Sequence, residues 1–473
     1  MRRRGPLALG LLLCTLWVVP SVGVPVAQAQ TPPPNVILIV ADDMRWDEAG
    51  IQTLLAETFP QGYLPTIRGT LVSDGFHATN AFNVNSLCCP SRSSILTGDY
   101  SHTTGVWNNQ NDTARGGWKA FKPHEGSTLA TWFDAAGYRT GLMGKYFNGY
   151  NQTSYVPPGW DRWVAIKNST VGYYNFTLAI DGTTRNYGTG AANYSTDVLA
   201  GYATDFIRST SLGTPFFLMF TPYTPHAPYT PAPRHAGMYS GYTPKMPPNL
   251  AEADVSDKPA WVRALPQTGG GWGAQKRKQM EMLMALDDAV GSMLTSLSDT
   301  GRLNNTIVLF TSDNGMSGGS HRWTTKKSPW DEALRSPFIA WGPGIDPGTS
   351  SDELILNIDI ADTLESLTGV TVPATDGASV AGLLSSGTTP VHDGFVFERL
   401  VDGTDPPSYC GYRTLTHKYI RYSTGEEELY VLTSDPWELT SRHADPALAT
   451  LKAQLLAKTQ QLCDPPPPGY SFG

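Results

Sequence analysis

Pro34-Asn35-Val36-Ile37-Leu38-Ile39-Val40-Ala41-Asp42-Asp43 runs six apolar residues without a polar break and then stops on two aspartates. An apolar run this short, rich in β-branched side chains, reads as a strand buried on both faces. Tyr138–Met143, Phe216–Phe220 and Ile307–Phe310 read the same way. Amphipathic stretches lie between these runs: Leu129–Ala136, and Met280–Leu297 with Leu283, Leu286, Val290, Leu294 and Leu297 at helical spacing. Strands that alternate with helices imply an α/β fold, with a large mixed, mostly parallel sheet flanked by helices.

Further along, Pro231–Gly273 is rich in Pro and Gly with little periodicity, and is expected to be a long surface excursion near the site. Ser385–Pro390 reads as a linker. Beyond it, short alternating runs over Gly394–Leu432 predict a small antiparallel sheet, followed by a helix around Pro446–Leu462. The expected organisation is therefore a leader over 1–29, a catalytic domain over 30–384, a C-terminal α+β subdomain over 391–463 and a Pro-rich tail over 464–473. At 473 residues the chain is long enough for one large core and a smaller one.

The leader has Arg2, Arg3 and Arg4, an apolar run from Leu7 to Val18, and the small-residue site Ala27-Gln28-Ala29. That is the form of a secretory signal peptide, with an apolar run too short to span a membrane. The mature protein is expected outside the cell or in an equivalent exported compartment. Loss of the leader removes three arginines and no acids, which moves the net charge from −8 to −11. Such a surface has no general attraction for nucleic acid or an anionic membrane, so an anionic substrate would need locally concentrated positive charge. Four cysteines remain. Cys410 and Cys463 are the pair expected to join in an oxidising compartment, with two buried free thiols as the alternative.

The reactive residue types collect at strand ends, where open α/β sheets bind their ligands. One strand delivers Asp42 and Asp43; another, two residues past Phe310, delivers Asp313 and Asn314. Oxygen donors without thiolate or imidazole suit a hard cation, calcium before magnesium. Each pair alone is as compatible with ordinary turn and capping chemistry.

The segment Ser86-Leu87-Cys88-Cys89-Pro90-Ser91-Arg92-Ser93-Ser94-Ile95-Leu96-Thr97-Gly98 tips that balance. Pro90 fits the first turn of a helix, so Cys88 would stand at a helix N-terminus, where backbone N–H groups favour an anion, with Arg92 one turn along. A plain helix-start thiol and a vicinal Cys88–Cys89 disulfide are the bland readings.

Cys-x-Pro-Ser-Arg followed by Leu-Thr-Gly resembles the sulfatase signature, whose first cysteine is oxidised to formylglycine by a dedicated enzyme. The chain is most similar to the N-acetylglucosamine-6-sulfatase and extracellular heparan endosulfatase group. The resemblance extends through Pro34–Asp43, Gly-Lys-Tyr-Phe-Asn at 144–148, Tyr-Tyr-Asn-Phe-Thr-Leu at 173–178 and Thr-Ser-Asp-Asn-Gly at 311–315. Many arylsulfatases carry histidine where this chain has Phe147, a departure that agrees with the glucosamine type.

The resemblance implies a calcium ion held by Asp42, Asp43, Asp313, Asn314 and the modified Cys88. It implies Arg92, Lys145 and Lys326 as sulfate-binding cations, with Lys327 as the neighbouring choice, and His226 as first choice to protonate the leaving oxygen. His321 and Asn148 are candidate substrate contacts, His321 standing evenly between that role and an ordinary loop histidine. His102 and Asp99 are expected to be structural, and Asp287–Asp288 to bond locally within a helix rather than hold metal. The implied substrate is a sulfated carbohydrate, N-acetylglucosamine 6-sulfate in type. An aryl sulfate, or a phosphate or phosphonate ester, is the rival, and a catalytically silent glycan binder is disfavoured because every site residue is kept.

Overall fold

The computed structural model describes residues 32–473, except 52–53, 56, 112–113, 168–171, 270, 386 and 404–405, together with four isolated positions nearer the N-terminus. The expected leader over 1–29 otherwise lies outside the described residues. No helix among the described residues is long and apolar enough to cross a membrane.

The apolar run before Asp42 forms β1 (Asn35–Ala41), buried at every position. It lies inside a ten-stranded sheet with β2 (Phe76–Phe82), β3 (Arg139–Gly144), β4 (Arg162–Ile166), β5 (Thr177–Ile180), β6 (Thr183–Asn186), β7 (Phe216–Thr221), β8 (Thr306–Ser312), β9 (Phe338–Trp341) and β10 (Thr349–Leu356). The order across the sheet is β10-β2-β9-β8-β1-β7-β3-β4-β5-β6. The central run β8-β1-β7-β3-β4 is parallel throughout, while β9, β5 and β6 run against their neighbours.

Strand alternation explains why β1 is apolar on both faces. Ile37, Ile39 and Ala41 join one core with Leu199, Ala203 and Phe206 of the helix Ser195–Ser209 and Leu283, Leu286 and Val290 of the helix Trp272–Asp299. Val36, Leu38 and Val40 join the opposite core with Ile95 and Leu96 of α1 (Cys88–Thr97), Phe133 of the helix Leu129–Ala135, and Leu364 of the helix Asp359–Thr368. Full burial of each such side chain stabilises the fold by roughly 1.5–3 kcal/mol.

A second, four-stranded antiparallel sheet follows: β11 (Phe395–Arg399), β12 (Tyr409–Arg413), β13 (His417–Tyr422) and β14 (Glu427–Val431), in that order. Phe395, Phe397, Tyr409 and Ile420 pack against Phe82, Leu354 and Leu356 of the large sheet. The helix Ala449–Leu462 brings Leu455 against Tyr412, Tyr419 and Leu429, and Cys463 just after it is joined to Cys410.

Three expectations change. The helix foreseen over Met280–Leu297 begins eight residues earlier, at Trp272, because Lys276 is buried there against Asp47 (3.1 Å) and Glu57 (2.6 Å) and fills a core position that an apolar pattern cannot announce. The stretch 231–273 is only in part a surface excursion: Ala232, Asn249, Val255, Lys258 and Val262 are buried. Asp287 and Asp288 do not bond locally. Asp287 accepts the backbone N–H groups of Thr66 and Ile67, and Asp288 pairs with Arg234 and His235. His102 and Asp99 are structural, His102 bonding Glu398 at 2.9 Å and Asp99 accepting the Asp376 N–H.

Candidate active site

Parallel register brings the strand ends to one point. Ala41 of β1 lies opposite Ser312 of β8, so Asp42-Asp43 and Asp313-Asn314 leave the sheet side by side. The Asp43 N–H, in the left-handed region at φ 64°, donates to Asp313 Oδ1 at 3.1 Å. Gly144 of β3 lies opposite Thr221 of β7, and Lys145 and the segment carrying His226 follow. Gly144 has φ 136°, and a Cβ there would come within 2.1 Å of the Thr221 carbonyl oxygen, so glycine is what lets Lys145 turn inward.

α1 supplies the other half. Leu87 is extended, Cys88 is the first helical residue, and Pro90 sits in the first turn, where a missing N–H costs no helix bond. The Cys89 N–H donates to Asn109 Oδ1 at 2.9 Å. At the far end, left-handed Gly98 closes the helix onto the Ser94 carbonyl.

Around Cys88, buried carboxylates and cations interleave. Cys88 Sγ lies 3.6 Å from Asp42 Oδ1 and 2.8 Å from Lys326 Nζ. Lys326 Nζ also bonds Asp43 Oδ1 at 2.7 Å, and Lys145 Nζ bonds Asp42 Oδ2 at 2.6 Å. Arg92 Nε donates to Asp313 Oδ2 at 2.8 Å, and a terminal nitrogen to the Lys145 carbonyl at 3.0 Å. His226 Nε2 is 3.4 Å from Asp43 Oδ2 and its Nδ1 is 2.5 Å from the Ala227 carbonyl, so both ring nitrogens face oxygen. Asp42, Asp313 and Asn314 are fully buried; Lys326 and His226 keep side-chain exposures of 12% and 21% and mark the open side.

Burial alone would raise the Asp42 carboxyl, but Lys145, His226 and Arg92 outweigh it and hold the group down at about 2. Asp43 is also lowered: burial opposes ionisation, and Lys326 and His226 overcome it. The Cys88 thiol goes the other way. Burial pushes it up to about 12 against the pull of Lys145 and Lys326, which favours the neutral thiol over the thiolate.

Asp42, Asp43, Cys88 and His226 each place one donor atom within 4.8 Å of the others. Asn314 donates from Nδ2 to Asp43 Oδ1 at 2.6 Å, while its Oδ1 is buried with no hydrogen-bond partner. Ionised aspartates beside an orphaned amide oxygen are a donor set that fits a hard dication.

Of the two adjacent lysines, Lys326 reaches the cluster, whereas Lys327 pairs with Asp402 at 2.9 Å. Asn148 touches Cys89 rather than Cys88: its N–H meets Cys89 Sγ at 3.3 Å, and its Oδ1 is buried without a partner. His321 does not join the site. It is wholly buried, with Nδ1 on Glu252 at 2.6 Å and Nε2 on Asn249 at 3.0 Å, and burial holds the ring down at about 4.

Sequence reasoning missed the clamp that aligns Lys326 with Cys88. Ser86 Oγ donates to the Ser328 carbonyl and meets the Tyr409 hydroxyl, which donates to the Lys327 carbonyl, while the Lys327 N–H returns to the Ser86 carbonyl. Tyr409 lies on β12, so the small sheet helps to position the segment between β8 and β9 that carries Lys326. No local signal marks a pairing across 323 residues.

The sulfatase family model matches residues 34–370, and a model for the C-terminal part of N-sulphoglucosamine sulphohydrolase matches residues 319–464. The chain belongs to the sulfatase family. It is 32% identical over 374 residues to the N-acetylglucosamine-6-sulfatase of Homo sapiens, covering 75% of this chain and 65% of that protein. It is 32% identical over 385 residues to the extracellular sulfatase SULF-1 homolog of Drosophila melanogaster, covering 78% of this chain and 33% of that protein. The chain thus spans from one third to just under two thirds of the length of these relatives. A solved protein in complex with its substrate D-glucosamine-2-N,6-O-disulfate shares the fold, with a TM-score of 0.77, 23% identity, and coverage of 91% of this chain and 98% of that one.

Proposed function

We propose that this protein is a calcium-dependent sulfuric ester hydrolase that releases sulfate from sulfated sugars of the N-acetylglucosamine 6-sulfate type, with a formylglycine made from Cys88 as its nucleophile. The observation that carries the reading is the meeting of Cys88, at a helix N-terminus, with three carboxylates and three cations on one sheet edge. A thiol buried at about 12 is a poor nucleophile as it stands, which favours prior conversion by a formylglycine-generating enzyme.

Asp42, Asp43, Asp313 and Asn314 would hold calcium together with position 88. The bound ion would supply positive charge beside a hydrated aldehyde and acidify its hydroxyl. Three carboxylates and three cations balance one another, so a dication leaves a local positive surplus for an anionic ester even though the whole chain is acidic. In this reading Arg92 steadies position 88 and Asp313, Lys145 and Lys326 meet sulfate oxygens, and His226 protonates the sugar oxygen that leaves. An alkoxide leaving group needs that proton more than a phenoxide does.

The proposed division into a catalytic domain over 30–384 and a subdomain over 391–463 is supported by the two separate sheets. The leader supports export, and similarity to the Drosophila extracellular protein agrees with it.

The test is sulfate release from glucosamine 6-sulfate oligosaccharides by calcium-loaded, formylglycine-bearing protein, beside an aryl sulfate and an aryl phosphate at matched concentration. Preference for the sugar sulfate supports the reading. Turnover of the aryl sulfate alone would keep the sulfatase and remove the sugar, and faster phosphate than sulfate turnover would remove the sulfatase.

A further inference from the structure

Away from the site, His321, Glu332 and Glu438 place one donor atom each within 4.8 Å of the others, all three buried. Their hydrogen-bond capacity does not close. The Asn249 amide nitrogen has two hydrogens but faces three acceptors: His321 Nε2 at 3.0 Å, the Trp437 carbonyl at 3.1 Å, and Glu332 Oε1. Asn249 Oδ1 and Glu332 Oε2 are buried with no hydrogen-bond partner, and Glu332 Oε2 lies 4.0 Å from His321 Nε2. Acceptors therefore exceed donors at a point sealed from solvent, where an unmet polar group costs about 1–3 kcal/mol.

The imidazole is also aimed. Glu252 takes the Nδ1 side at 2.6 Å, which leaves the Nε2 lone pair toward Glu332 and Glu438, the carboxylate–histidine arrangement that orients metal-binding imidazoles. Lys258 faces Glu252 at 3.5 Å, and Lys418 is shared between Glu438 at 2.7 Å and Asp331 at 2.9 Å, the latter also paired with Arg413.

From this geometry we infer a second cation site, formed by His321 Nε2, Glu332 and Glu438, with Asn249 Oδ1 as fourth donor once its amide turns. One imidazole with carboxylates and an amide oxygen suits a borderline dication of the zinc type better than calcium. Zinc bonds to nitrogen and oxygen of about 2.0–2.2 Å put tetrahedral donors about 3.4 Å apart, so His321 Nε2 and Glu332 Oε2, at 4.0 Å, would have to draw together. Its ligands come from the 231–273 stretch, the segment between β8 and β9, and the chain after β14, so the ion would fasten three remote segments together.

The experiment strips metal from the full-length protein with a chelator, removes the chelator, and titrates with Zn2+ while following bound metal and thermal unfolding. Asp43→Asn, whose first cluster is disabled, should take up one equivalent and gain several degrees in midpoint, and Asp43→Asn/Glu332→Gln should do neither. Absence of uptake by Asp43→Asn, or equal uptake by Asp43→Asn/Glu332→Gln, overturns the site. If Asp43→Asn/Glu332→Gln does not fold, Co2+ loading of Asp43→Asn decides: an intense visible band of four-coordinate nitrogen and oxygen ligation supports the site, and a featureless spectrum overturns it.

Discussion

At the carboxyl ends of β1 and β8, Asp42, Asp43 and Asp313 face Arg92, Lys145 and Lys326, and the carboxyls of Asp42 and Asp43 are held below their ordinary range. Across to the C-terminal sheet, Glu252, Glu332 and Glu438 face Lys258 and Lys418, and burial pushes Glu438 up to about 8, with Asp331 and Glu332 adding to it and Lys418 opposing. Both clusters are buried. What separates them is how the cations are shared: in the second cluster Arg413 and Lys418 hold Asp331 low while Glu438 is left raised, so the nearest cations decide which protonation state burial selects. In the proposed function the first cluster holds charge ready for a ligand; the second joins segments.

The comparison predicts that substitutions in the first cluster cost activity and those in the second cost stability. The largest effect belongs to Cys88→Ala, expected to lower sulfate release at least about a thousandfold, roughly 4 kcal/mol in barrier, with the thermal midpoint nearly unchanged. Retained turnover would break the assignment of position 88. Lys326→Ala should lower kcat/KM by about 10² to 10³, while Lys327→Ala stays near wild type because its amine serves Asp402 instead. Equal losses in the two variants would show that Lys326 is not the sulfate lysine.

In the second cluster, Asp331 pairs with Arg413 at 2.9 Å and Lys418 at 2.9 Å. Asp331→Ala strands both cations and should lower unfolding free energy by about 3–5 kcal/mol in a denaturant titration. A loss below about 1 kcal/mol would mean that water reaches those cations.

The smallest effect concerns Glu48, which burial, with Asp47 adding to it, pushes up to about 8 against the pull of Lys276 and Arg45. Its folded-state value lies above the ordinary 4.5, so the unfolded chain releases this proton first and stability falls as pH rises from about 4.5 to 8. Glu48→Gln should flatten the decline in thermal midpoint between pH 5 and 8; an unchanged slope would place the titration elsewhere.

Legibility followed the same division. The runs ending at Asp42 and just before Asp313 were readable because a strand buried on both faces must be apolar at every position. The helix start at Trp272 was hidden because a lysine paired with two carboxylates occupies a core position. The exposed strand β6 and the half-exposed β10 carry no such apolar run and went unread. His321 could not be assigned from its neighbours in sequence, since its partners Asn249 and Glu252 lie 72 and 69 residues away.

The sequence by itself determined that buried strands end in acidic residues, and that Cys88-Cys89-Pro90-Ser91-Arg92 begins a helix suited to an anion. Both follow from local physics: apolar continuity, the missing proline N–H, and the helix dipole. Only the tertiary structure decided that Ala41 lies beside Ser312, that Lys326 rather than Lys327 meets Cys88, and that Tyr409 of the second sheet steadies that choice. Those are choices of register and packing between segments hundreds of residues apart, and short-range spacing carries no record of them.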